Sequence, residues 1–364
     1  MNPRNGKLES HSPLDNDLTS EVGLSTISVP YLTLGEAKTR KITTKRPRWL
    51  QLVGNTTFTE ARNIARMIPC ERLFLKFEGN NPTGTQKDRV ALALADTASR
   101  FRYEGITTAT CGNFGAALAY AGDYFQIPET HIYIPEGYHV PKGRLKIMEE
   151  KKAVVHYIEG TYEDAVLYSS EMARQNHWYD ANPGMNGTTE ITLEAYAQIA
   201  MEIYRSLKKA PDYVLCPVGN GSTLAGIHRG FKQLYELQKI SNVPRIVAVS
   251  TRRGNPIIKS FKKKSPVPID LTPDEIVETK VNEPLTNWHS FDGEHALEAL
   301  YESNGFGEYA SDTSMIKFSQ VLKREAGLMV HPASASTLAV LSKMTRNDIT
   351  LKGTYVAILT GRSS

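Results

Sequence analysis

Cysteine is scarce in this chain of 364 residues: only Cys70, Cys111 and Cys216 are present, and no two of them form a CxxC pair. Such a set builds neither a disulfide framework nor a structural zinc site, and it fits a reducing compartment. Long apolar runs are missing too, so no segment reads as a bilayer span. The first residues, Met1 to Lys7, lead into polar sequence rather than the apolar stretch of a signal peptide. The expectation is a cytoplasmic protein without membrane association. Neither sign of charge dominates: 43 Lys and Arg against 39 Asp and Glu leave a net charge of +4. That is no nucleic-acid footprint, although it weakly favours anionic small molecules. Lys262, Lys263 and Lys264 read as a solvated loop. His289, His295 and His331 are scattered without ligand spacing, so no metal is expected. No internal repeat is visible.

What is present is an ordinary globular balance, 40% hydrophobic and 23% charged, in a chain sized for one large or two smaller domains. Residues 1 to about 45, rich in Ser, Thr, Asn and Pro, read as an extended, partly disordered or subunit-contacting arm. From Leu73 onward, strand and helix patterns alternate. Strands are expected at 73–77, 106–110, 131–134, 154–158, 213–217, 246–250 and 355–360. Helices are expected at 88–99, 114–125, 142–151, 162–175, 191–207, 223–237, 315–325 and 334–344. This is an α/β pattern of parallel sheets flanked by helices. Open parallel sheets bind ligands at the carboxyl ends of their strands, and four loops in such positions carry unusual residues.

The first loop runs Asn81-Pro82-Thr83-Gly84-Thr85-Gln86-Lys87-Asp88-Arg89. Thr85 is placed to cap the next helix, which puts Lys87 in its first turn. The macrodipole there disfavours a cation and so favours the neutral amine needed for imine chemistry. The second, Thr110-Cys111-Gly112-Asn113-Phe114, offers backbone N–H groups and a hydroxyl at a helix start, a cradle for a carboxylate. The third, Gly219-Asn220-Gly221-Ser222-Thr223, lets successive amides converge on a phosphate. It lacks the Gly-Lys-Ser/Thr ending of a nucleotide P-loop, which favours a small phosphorylated cofactor over ATP or NAD. The fourth is the end of the last strand, Thr360-Gly361, with a hydroxyl suited to a ring nitrogen.

In this order the four loops, with His331-Pro332-Ala333-Ser334-Ala335 before the last, resemble the tryptophan-synthase-β-like superfamily of pyridoxal-phosphate enzymes, fold type II. Within it the chain is most similar to the threonine synthase family. The resemblance runs from about Trp49 to the C-terminus. It implies two parallel-sheet αβα domains with the cofactor in the cleft between them. Residues 46–85 and 186–364 would form the larger cofactor-binding domain, and 86–185 a smaller mobile substrate domain. It also implies a homodimer. Lys87 would hold pyridoxal 5'-phosphate as a Schiff base and shuttle protons. Asn113 would bond the cofactor's phenolic oxygen, Gly219 to Thr223 its phosphate, and Thr360 its pyridine nitrogen. Thr110, Cys111, Gly112, Asn113 and Phe114 would take the substrate carboxylate.

The implied reaction is elimination or replacement at the β or γ carbon of an amino acid, O-phosphohomoserine or an analogue. The alternatives are β-replacement on O-phosphoserine or O-acetylserine, and a non-catalytic relative that kept the cofactor site. Departures from the family pattern concentrate around the substrate. The family's arginine after Asn-Pro is absent from Asn182-Pro183-Gly184-Met185. Gln86 stands beside the lysine in place of Phe, Phe114 replaces a small polar residue, and His331 replaces Glu. Lys142 and Arg144 are candidates to supply the missing cation, with a solvated helix face as their expected setting.

Overall fold

The structure, a computed structural model, describes residues 48–110, 112–185, 187–345 and 351–363. The expected N-terminal arm and Cys111 lie outside the described residues.

Two sheets organise the chain. The larger contains β1 (Thr57–Glu60), β2 (Cys70–Phe77), β7 (Tyr213–Pro217), β8 (Arg245–Thr251), β9 (Phe306–Ala310) and β10 (Leu351–Leu359), in the order β1-β2-β10-β7-β8-β9. The smaller contains β3 (Gly105–Ala109), β4 (Glu129–Pro135), β5 (Val154–Ile158) and β6 (Tyr179–Asp180), ordered β5-β4-β3-β6. All pairings are parallel except that of the edge strand β1 with β2. The larger sheet is therefore mixed. β1 runs antiparallel because only the short helix α1 (Arg62–Met67) separates it from β2, too little chain for a parallel crossover.

The strands are short and rich in aliphatic residues, and their alternation decides which layer each side chain joins. Phe74, Val214, Ile246 and Val356 enter one core, whereas Leu73, Leu215, Val247 and Tyr355 enter another on the opposite face. The larger sheet is thus buried on both sides, between layers of helices. The first core continues without interruption into the smaller sheet through Leu92, Ala119, Ile106 and Ile132. Two helices carry that continuity, α2 (Lys87–Arg100) and α3 (Asn113–Tyr124), and their alanines permit close approach. A third, α6 (Thr188–Leu207), packs against α2 and against α7 (Ser222–Glu236). Among the described residues no helix is long and apolar enough to cross a membrane.

Some elements differ from the sequence expectation for local reasons. Phe306-Gly307-Glu308-Tyr309-Ala310 forms β9 although glycine and glutamate interrupt its pattern, because the strand lies at an edge. The expected helix at 334–344 begins as a 3-10 turn over Pro332–Ala335 before α11 (Ser336–Met344). The lysines at 262–264 are exposed, as a solvated run should be, but Lys262 closes a helix, α8 (Pro256–Lys262).

Candidate active site

Because β2, β10 and β7 are adjacent and parallel, the loops leaving their carboxyl ends meet at one edge of the larger sheet. The loop after β3 faces them from the smaller sheet. Together they line a cleft of about 300 Å³.

The Asn81–Arg89 segment is fixed from behind by its own polar side chains. Asp88 is fully buried and accepts from Thr83 N at 3.0 Å and Thr83 Oγ1 at 2.7 Å. Burial pushes its carboxyl up to about 6. Arg89 pairs with Glu78 at 2.7 Å and with Glu202 of α6 at 2.8 Å, and Lys76 reaches Glu202 at 2.6 Å. With both neighbours on its C-terminal side buried in such contacts, Lys87 is left at the cleft wall as the first residue of α2. The helix starts one position later than expected: Gln86, not Thr85, is the N-cap, and Thr85 Oγ1, one residue before it, accepts from Lys87 N at 3.3 Å. The Lys87 Nζ lies 5.9 Å from the centre of the Phe114 ring.

After β3, Thr110 Oγ1 accepts from Gly112 N at 3.1 Å, and Gly112 turns with φ of +138°. A side chain there would be strained and would crowd Val140 at 3.2 Å. The turn brings Asn113 and Phe114 to the cleft at the start of α3. Asn182 buttresses this strand end by accepting from Ala109 N at 2.7 Å, which commits it to structure, while Pro183 lines the cleft.

After β7, Gly219 to Thr223 wrap the N-terminus of α7, with φ of +96° at Gly221. A Cβ at Gly219 would sit 2.8 Å from the Pro284 carbonyl oxygen, so only glycine admits the 3-10 turn Glu283–Leu285 so near. Ser222 donates to Asp292 at 2.5 Å. Burial raises the Asp292 carboxyl, which favours its neutral form and so reduces opposition to an anion at this helix end. Asn287 donates to Asn220 Oδ1 at 3.2 Å, and its own Oδ1 is buried with no partner among the described residues. After β10, Thr360 Oγ1 and Ser334 Oγ lie 3.0 Å apart.

Charged groups occupy two parts of the cleft. Glu283 faces Lys87, and burial pushes its carboxyl up to about 7, with the Lys87 charge opposing and Glu278 reinforcing the shift. Arg144, His331 and Arg362 form the other group. Arg144 lies in α4 (Lys142–Glu150) and is 4% exposed, so the solvated helix face expected for it is corrected. It shares the inward face of α4 with Met148, one turn on, whereas Lys142 and Lys146 are exposed.

This arrangement offers an amine, a helix-end anion cradle, an amide and a hydroxyl pair within one cleft, a set that fits pyridoxal phosphate group by group. Among the described residues there is no cluster of three or more metal-ligating side chains.

Fold and cleft define a cofactor-dependent enzyme of α/β type, and comparison names its family. The chain belongs to the pyridoxal-phosphate dependent enzyme family, whose sequence profile matches residues 50–361. Its cofactor is pyridoxal 5'-phosphate, and it is a lyase of threonine-synthase-like type. It is 29% identical over 299 residues to the threonine synthase of Methanocaldococcus jannaschii, covering 81% of this chain and 71% of that one. The threonine synthase of Methanosarcina acetivorans is 29% identical over 315 residues, covering 85% and 74%. The structure of maize serine racemase superposes with a TM-score of 0.73 at 17% identity, covering 87% of this chain and 91% of that one, a likeness of fold.

Sequence reasoning assigned no role to Ser334, Asn287, Asp292, Glu283 or Arg362, all cleft residues or direct partners of them. Two carried a signal: Ser334 lies within the Pro332–Ala335 motif, and Arg362 directly follows Thr360-Gly361. Glu283, Asn287 and Asp292 sit in an irregular segment with no periodicity to mark them.

Proposed function

We propose that this enzyme catalyses elimination or replacement at the β or γ carbon of an amino acid, with O-phosphohomoserine or an analogue as substrate. The convergence of Lys87, Asn113, the Gly219–Thr223 cradle and the Ser334–Thr360 pair on one cleft carries this reading. When bound, pyridoxal phosphate supplies the electron sink that lets the α-hydrogen bond break. Lys87 would hold the cofactor through its amine and, once released, carry protons between substrate carbons. Gly219 to Thr223 would hold the phosphate and Asn113 the phenolic oxygen. Thr110, Cys111, Gly112 and Asn113, with Phe114 as a wall, would hold the substrate carboxylate. Thr360 and Ser334 would meet the ring nitrogen. A hydroxyl is too weak an acid to keep that nitrogen charged, which favours elimination and replacement over transamination.

A second reading, β-replacement on O-phosphoserine or O-acetylserine, draws on Phe114. Its ring, 5.9 Å from the Lys87 amine, shortens the space for a side chain. Residues 86–185, which hold the smaller sheet, are proposed to close over the substrate. The proposal is completed by a homodimer in the cytoplasm, in keeping with the unpaired, buried Cys70 and Cys216.

The test begins with colour. Purified enzyme should carry the visible absorbance of a lysine-bound cofactor, and Lys87→Ala should lose both that band and all turnover. Phosphate release from O-phosphohomoserine against O-phosphoserine then separates the two readings. Colourless wild-type protein after cofactor loading would sink both.

A further inference from the structure

A second cavity opens on the carboxyl edge of the larger sheet, and it shares no lining residue with the catalytic cleft. β8 and β9 end side by side at Thr251 and Ala310, and a hollow of about 520 Å³ lies there. That is the size of a small-molecule site, on the edge where parallel strands gather binding loops. The turn after β8 supplies Arg252 and Arg253 to it, and α11 supplies Lys343. The start of α10 (Asp312–Ala326) closes another side. Tyr309, Ala310 and Ala339 give part of the wall an apolar surface.

The lining charges are unequal: three cations face one carboxylate among the described residues. That carboxylate, Asp312, is engaged, accepting from Thr279 Oγ1 at 2.6 Å and from Asn282 Nδ2 at 3.3 Å. Lys343 is paired with Glu308 at 2.8 Å. Arg253 donates to the Asp274 backbone carbonyl, whose own side chain accepts from Thr272 at 2.6 Å. Neither arginine makes an ion pair among the described residues, and both are exposed. Their guanidiniums are therefore solvated and available at the rim of one concave surface. Two such forks side by side match a dianionic head group, which each can grip through paired N–H donors.

The segments that carry this cavity also hold the catalytic cleft. Two residues after Arg253, the buried Asn255 donates to the carbonyls of Val218 and Gly219, both at 3.1 Å. Between them, the Gly254 carbonyl accepts from Asn287 N at 2.9 Å, and Asn287 in turn donates to Asn220. The turn after β8 thus has arginines in one cavity and supports the Gly219–Thr223 cradle of the other. A second link runs through residues 277–283. Thr279 and Asn282 line the new cavity, whereas their neighbours Glu278 and Glu283 line the cleft.

We propose that this second cavity is a regulatory site for a small phosphate monoester. Its phosphate sits on Arg252 and Arg253, and its organic part packs against Tyr309 and Ala339. Drawing the Arg252–Asn255 turn toward the ligand changes the support of Gly219 and Asn287, so occupancy is felt at the cofactor cradle. The site itself is independent of the amino-acid reaction proposed above, while its effect on turnover rests on that reading.

The test uses the cofactor-loaded enzyme, whose own phosphate cradle is filled, with phenyl phosphate as the probe. Binding is titrated calorimetrically, and the visible cofactor band is followed over the same concentrations. Wild type should bind with a Kd of about 1 mM or tighter, and the band should change along the same saturation curve. Arg252→Gln and Arg253→Gln should each weaken binding by about tenfold, and the double variant should lose both signals. Lys323→Gln, exposed in the last turn of α10, should leave them unchanged. Because both arginines are exposed, each variant should keep the urea midpoint of wild type, which separates lost binding from lost folding. Absence of binding by wild type overturns the site. Equal binding by wild type and the double variant also overturns it and assigns the probe to the catalytic cleft. Binding with an unmoved band overturns the coupling to the cofactor. If neither O-phosphohomoserine nor O-phosphoserine is turned over, the proposed reaction fails, and the titration still decides the second cavity.

Discussion

Two sets of buried charge lie on either side of the start of α2, and they are built in opposite ways. Behind the cleft, Lys76, Arg89, Glu78 and Glu202 form a closed quartet of two cations and two carboxylates, each 8% exposed or less. Thr56 and Asn81 take up further donors and acceptors: Thr56 Oγ1 donates to Glu78 at 2.7 Å and Asn81 Nδ2 donates to it at 2.9 Å. Facing the cleft, Arg144 is as deeply buried but makes no ion pair among the described residues: it donates to the Thr83 carbonyl, with Asp88 acting on its charge favourably and Arg362 unfavourably. Charge neutralised within the chain orients structure: the quartet ties β2, α2 and α6 together and so aims Lys87. The Arg144 charge, without such a network, lines the cleft instead.

Removing one member of the closed set should do the most damage. Glu202→Gln keeps the shape but leaves Lys76 and Arg89 sharing a single carboxylate. Uncompensated buried charge of this kind costs about 3–5 kcal/mol, read as a lowered urea midpoint with unchanged slope. Arg144→Gln should cost less, about 1 kcal/mol, because a bond to a neutral carbonyl and a longer-range attraction to Asp88 are lost rather than an ion pair. Equal destabilisation by the two substitutions would erase the distinction between the sets.

Acid should act on the same quartet, more gently because both carboxylates titrate together. The Arg89 guanidinium outweighs burial and holds Glu202 down at about 2, well below its ordinary 4.5, and lowers Glu78 in the same way. A lowered folded value means that stability is fully present above the ordinary value and is lost as pH falls from 4.5 toward 2. Urea midpoints across that range should fall in wild type and fall less in Glu202→Gln, which has already lost the titrating group. A flat wild-type profile would mean that the quartet contributes little.

The contrast also explains what the sequence could show. The loops carrying Lys87, Asn113, Gly219–Thr223 and Thr360 were readable because turn glycines and helix starts after aliphatic strands mark the ligand edge of a parallel sheet. The destination of a charge was not readable. Lys76 alternates with Leu75 and Phe77 as a solvent-facing residue would, yet it is fully buried because helices cover both faces of its strand. Arg144 stands among Lys142, Lys146 and Glu149 on a helix whose composition suggests water on every side. Only packing of the Met148 face turns it inward. Glu202 likewise reads as the polar face of a long amphipathic helix.

The smallest effect concerns Glu283, the cleft charge that sits between the two extremes, with Lys87 opposing its titration and Glu278 assisting it. Its carboxyl, pushed up to about 7 chiefly by burial, is neutral in mild acid and gains its charge beside Lys87 as pH rises through that value. A raised folded value contributes stability that is full below the ordinary 4.5 and lost as pH rises through about 7. Glu283→Gln, which carries no charge at any pH, should therefore be slightly more stable than wild type above pH 7 and no more stable below 4.5. In the cofactor-loaded protein, the visible band of wild type should shift with pH through an inflection, and that inflection should vanish in Glu283→Gln. Turnover should follow with a change of only about a few-fold, since Lys87 rather than Glu283 would move the proton and Glu283 only sets the charge beside it. An inflection that survives the substitution would assign the titration to another group and leave Glu283 as part of the wall.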